Sequence, residues 1–114
     1  MTAKRIALVG LVGLVLCGGV AAAHQVTEKP LLDNDQVLVM EYVFPPGFKG
    51  EEHEAPVNEF AYVLDGQFSV VTKGKGTTVV TKGQVEYAPK GTVHYSVNDS
   101  KRPARVLVVL LKER

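Results

Sequence analysis

The chain has no tryptophan, four phenylalanines, four tyrosines, three histidines and a single cysteine in 114 residues. One cysteine excludes an internal disulfide, so the fold rests on packing, assembly or a bound ion. So few aromatic residues require a core made mainly of Val and Leu. Charge of either sign is also missing in excess: the formal net charge is +1, which gives no electrostatic basis for a nucleic acid or an acidic membrane surface as partner. No segment from residue 36 onward sustains a 3.6-residue apolar period, and there is no low-complexity stretch, linker or repeat.

The one long apolar run lies at the start, where Lys4 and Arg5 precede an uncharged stretch from Ile6 to Ala23. Basic residues, an apolar run and a closing Ala21-Ala22-Ala23 predict a secretory signal peptide over residues 1–23. A membrane anchor is the competing reading, because the run is at the lower edge of spanning length; its glycines and the A-x-A pattern favour cleavage. Cleavage removes Cys17 with the leader and takes the charge to about −1. The expectation is an exported domain, periplasmic or extracellular, with no stable membrane insertion afterwards.

The remainder divides into residues 24–35, polar and read as an N-terminal arm or edge strand, and residues 36–112, read as one barrel domain. The second part is a series of short β-rich runs split by turn residues. QVLVMEYVF leads to PPG; EFAYVLDG ends at Asp65-Gly66, a hairpin signal. QFSVVTK, a GKG turn, TTVVT, Lys82-Gly83, QVEYA, PKG, TVHYSVN, a polar loop and ARVLVVLLK follow. About seven short strands at regular spacing predict an all-β antiparallel sandwich or small barrel. In such a structure alternate residues point inward. His94, Ser96 and Asn98 then share a face, as do His53 and Ala55, and Glu59, Ala61 and Val63.

His53, Glu59 and His94 are candidates for one metal centre. Two neutral imidazoles and a carboxylate form a set that holds Fe(II), Mn(II), Ni(II) or Zn(II). Taken singly, a strand histidine is more often hydrogen-bonded or half-exposed than a ligand, and an exposed glutamate usually has no role, so both readings stand on spacing alone.

Residues 47–66, GFKGEEHEAPVNEFAYVLDG, place Gly47, His53, Ala55, Glu59 and Gly66 at intervals that resemble the first cupin motif. Residues 83–98, GQVEYAPKGTVHYSVN, resemble the second at Gly83, Pro89, Gly91, His94 and Asn98. Only Ala55 departs, standing where the family has a metal-binding histidine. The resemblance spans about residues 36–111. It implies a single-domain jelly-roll barrel, often a homodimer, with a metal at His53, Glu59 and His94, acting on or binding a small molecule. Members include oxygenases, isomerases and ligand-binding domains, so fold does not name the reaction. Three ligands leave open positions for a metal-dependent oxygenase or isomerase. Loss of the fourth also fits a metal-free module that binds or senses a small molecule or sugar. No separate general acid or base stands out. VLVVLL, apolar on both faces, adds to the expectation of a homodimer. Asn98-Asp99-Ser100 is formally a glycosylation sequon, discounted here in favour of a strand-ending role.

Overall fold

Glycine-bearing corners decide how this chain winds. A computed structural model describes residues 25–113, and the leader assigned to residues 1–23 lies outside them. The described strands are β1 (Thr27–Asp33), β2 (Val37–Phe44), β3 (His53–Glu54), β4 (Asn58–Asp65), β5 (Gln67–Thr72), β6 (Gly76–Thr81), β7 (Val85–Ala88), β8 (Val93–Val97) and β9 (Ala104–Leu111). They form a five-stranded sheet in the order β1-β2-β9-β4-β7 and a four-stranded sheet in the order β3-β8-β5-β6. The ladders are antiparallel, and no helix occurs among the described residues. This is an all-β jelly roll.

Only β1–β2 and β5–β6 are consecutive strands that pair with each other. Every other connection carries the chain from one sheet to the other. Asp65-Gly66, expected as a hairpin turn, is therefore a corner: β4 pairs with β7 and β9, while β5 pairs with β6 and β8. Both outcomes ask for positive φ, which explains the misreading. Gly66 has φ 79°, and a Cβ there would lie 2.5 Å from the Pro103 carbonyl oxygen, so only a hydrogen fits between the two backbones. The two-residue β3 is the strand that the seven-strand pattern misses. The segment read as an arm or edge strand contains β1, at the rim of the larger sheet and almost wholly exposed.

The core lies between the sheets and follows strand alternation. Leu38, Met40, Tyr42 and Phe44 of β2 oppose Leu110, Val108, Val106 and Ala104 of β9, all buried. Val63, Phe68, Val70 and Val80 complete it. Burying each Val, Leu or Phe side chain contributes about 1.5–3 kcal/mol, so a Val- and Leu-rich core suffices without tryptophan. The Phe44 ring lies 5.1 Å from Phe48 and 5.4 Å from Phe68, centroid to centroid, closing one end of the core.

Candidate metal centre

The three candidate ligands come from both sheets. β3 and β8 pair so that His53 stands directly opposite His94, and their ring centroids are 4.8 Å apart. Glu59 enters from β4 of the other sheet, with Oε2 3.4 Å from His94 Nε2. One donor atom from each of His53, Glu59 and His94 lies within 4.8 Å of the other two. His94 is buried, and His53 and Glu59 are half-buried.

The local chain explains this convergence. After β3 the backbone crosses between sheets through Ala55, whose N–H donates to Thr92 O at 2.7 Å and whose carbonyl accepts from Gly91 N at 2.9 Å. Those bonds lock the crossing against the turn that precedes His94. Ala55 itself is buried, at 1% exposure. β3 ends at Glu54, and a methyl at residue 55 supplies no donor to the site.

The residues present fit a divalent first-row ion. His53 Nδ1 lies 3.1 Å from Glu51 O, which fixes that nitrogen as the N–H donor and leaves the Nε2 lone pair free. His94 directs Nε2 at the carboxylate, while its Nδ1 is buried without a hydrogen-bond partner. An imidazole so placed is poorly satisfied as a purely structural group. Two donors about 2.1 Å from one ion and at right angles stand about 3.0 Å apart, so the set must contract to grip it.

The three side chains line a cavity of about 30 Å³, room for about two water molecules. Phe44, Phe68, Val70, Val106 and Val108 make its apolar wall, and Ser96 and Glu86 are its remaining polar side chains. Sequence reasoning missed Glu86. Burial raises its carboxyl above the ordinary carboxylate range; charge on His94 pulls it down, and Glu59 pushes it up again. In the strand VEYA Glu86 alternates with two apolar residues, a pattern that separates their faces without saying which is inside. Val85 and Tyr87 take the outer face, exposed by 58% and 55%, so the acid faces in.

Asn98, which closes the second motif, contributes architecture. Its side chain is fully buried and donates from Nδ2 to Phe44 O at 2.9 Å and Arg102 O at 2.8 Å. Its Oδ1 accepts from Ser100 N at 3.0 Å and Ser100 Oγ at 2.7 Å. With every polar atom engaged, the sequon is a structural clamp.

Comparison with known proteins agrees with this architecture. Residues 40–110 match the family model described as a cupin domain. A germin-like protein of Arabidopsis thaliana, subfamily 2 member 2, is 33% identical over 95 residues, which cover 79% of this chain and 43% of that protein. A putative germin-like protein 9-2 of Oryza sativa subsp. japonica is 33% identical over 85 residues, 70% of this chain and 40% of that protein. The chain thus spans less than half the length of these curated relatives. Among solved structures, TT1209 from Thermus thermophilus superposes with a TM-score of 0.70 at 26% identity, covering 78% of this chain and 85% of that one. With the motif-bearing strands, the crossing corners and the match over residues 40–110 in agreement, the chain belongs to the cupin-domain family.

Proposed function

We propose that this protein is a metal-dependent cupin that holds a divalent first-row ion through His53, Glu59 and His94 and acts on a small organic molecule. The supporting observation is the convergence of two imidazoles and one carboxylate, from two different sheets, within 4.8 Å at a cavity wall. Such an ion, when bound, polarises a ligand oxygen or activates dioxygen, the chemistry of an oxygenase or isomerase. The chain's own part is to present three donors on one side and exclude bulk water from the other. A cavity of about 30 Å³ admits only a few atoms, so a substrate reaches the ion with one end. We also place the protein outside the cytoplasm, on the strength of the leader-like start.

The test is metal content of tag-free full chain, followed by titration with Mn(II), Fe(II), Co(II), Ni(II) and Zn(II). Uptake of about one ion per chain is expected, with a rise in melting temperature that is absent in His94→Ala and Glu59→Ala. A folded wild type that takes up none of these ions refutes the proposal. Ala55, at the position of a family ligand, favours one second reading: a metal-free pocket for a small molecule or sugar. In that case His53→Ala/His94→Ala leaves ligand binding intact.

We further propose a homodimer through the outer face of the larger sheet. Val39, Phe60, Tyr62, Val85, Tyr87 and Leu107 lie side by side there by ladder register; Tyr62, Val85 and Tyr87 are exposed and the other three half-buried. Sedimentation at micromolar concentration is expected to show a dimer, which Tyr87→Glu weakens; a monomer at those concentrations refutes it.

A further inference from the structure

Two polar side chains remain on the cavity wall once the candidate ligands are set aside, and of these only Glu86 is ionisable. On the β4–β7 ladder Glu86 stands opposite Ala61, and Glu59 stands opposite Ala88. The two acids are therefore diagonal neighbours on the inward face, with Cβ atoms about 7 Å apart. Each faces a methyl, which leaves its carboxyl free to reach past the ladder into the cavity. Glu86 lies outside the group of donors that converge within 4.8 Å. Among the described residues it makes no hydrogen bond or ion pair.

The strand that carries it is patterned against its own stability. β7 turns an acid inward and two large apolar side chains outward, the reverse of what burial favours. The outward pair belongs to the apolar sheet face described above, but that does not account for the acid. A lysine or threonine at residue 86 with the same outward pair serves the face equally, whereas a free carboxyl aimed into an apolar cavity serves a ligand.

We propose that Glu86 is the ligand-selecting group of this cavity: it faces whatever small molecule takes the ion's open positions, disfavours anions there, and favours molecules that present an N–H or O–H donor toward β7. This rests on the metal reading of His53, Glu59 and His94. The apolar wall screens charge weakly, so an ionised Glu86 at a separation on the order of 7 Å from an anion on the ion changes that anion's affinity roughly threefold to fiftyfold, for effective dielectrics between water and protein surface. The ligand class is thus small amines, amides and alcohols in preference to carboxylates.

The experiment uses full-length protein loaded with Co(II), whose visible spectrum reports open coordination positions, titrated with azide as the anion and hydroxylamine as the neutral donor. In Glu86→Gln and Glu86→Ala the ratio of azide to hydroxylamine affinity is expected to rise by that factor, while Co(II) affinity falls less than tenfold. An unchanged ratio in both variants makes Glu86 mere wall and overturns the proposal. A tenfold or greater loss of Co(II) affinity makes it a ligand and overturns it too. If folded wild type takes up no Co(II), the metal reading fails and this inference falls with it, a result distinct from either variant-specific outcome.

Discussion

Replacing Asn98 tests whether the second motif ends in a clamp. The side chain supplies two donors to main-chain carbonyls and one oxygen that accepts from the Ser100 amide and hydroxyl. Its own backbone is also tied, with N donating to Phe48 O at 2.8 Å and O accepting from Gly47 N at 2.7 Å. In Asn98→Ala four side-chain hydrogen bonds disappear, each contributing about 0.5–1.5 kcal/mol net, and the buried Phe44 carbonyl loses a donor. The expected loss is about 3–5 kcal/mol, a drop of about 12–40 °C in melting temperature for a domain of this size. Ser100→Ala keeps the backbone N–H bond to Asn98 and removes the hydroxyl's bond to Asn98 Oδ1 together with its more exposed bonds to Arg102 O and N, and is expected to lose about 1 kcal/mol. The double variant should lose less than the sum of the two single losses, because the Ser100 Oγ–Asn98 Oδ1 bond is removed in both. Chemical denaturation followed by circular dichroism gives all three values. A loss under about 1 kcal/mol for Asn98→Ala, or full additivity in the double variant, refutes the clamp. Expression in a glycosylating host supplies an independent check: a buried Asn98 leaves the mass of the folded protein unchanged.

Gly66→Ala combines a positive φ of 79° with a Cβ 2.5 Å from Pro103 O, and is expected to lose about 2–4 kcal/mol in denaturant titration. Gly74→Ala shares the backbone sign, at φ 83°, but meets nothing within 4 Å; it should lose only about 1 kcal/mol, and equal losses would remove the corner argument. Glu86 holds its proton more tightly in the folded state than in the unfolded chain, so metal-free wild type should lose stability as pH rises from the ordinary carboxylate pKa toward the higher folded one. Glu86→Gln should flatten that slope above the ordinary carboxylate pKa; a slope unchanged by the substitution contradicts the burial of this acid.

What was legible in the sequence was legible because it breaks a local rule. Gly66, Pro89 and Gly91 stand at corners between sheets, where few other residues suit the backbone, and Asn98 is the amide that ties the end of β8 to Phe44 and Arg102. His53 and His94 share a ladder pair in one sheet, so register alone sets their separation. Other features give no local sign. Asp65-Gly66 makes the same backbone demand in a hairpin as in a corner, and only the pairing of β4 with β9 decides between them. Glu86 sits in VEYA, where alternation says that Glu and its neighbours take opposite faces but not which face is inside.

The same distinction locates what must be right for the site to work. Slippage of one residue between β3 and β8 would turn one imidazole away, so the histidine pair is set by a ladder. Glu59 is set by something else: it reaches His94 from the opposite sheet, across the gap that the core residues hold open. Inter-sheet spacing, rather than any residue in either motif, therefore controls how closely carboxylate and imidazole approach. An ion held between them would tie the two sheets together, and core substitutions at Val106 or Val108, which line the cavity without carrying a donor, would then act on its affinity through that spacing.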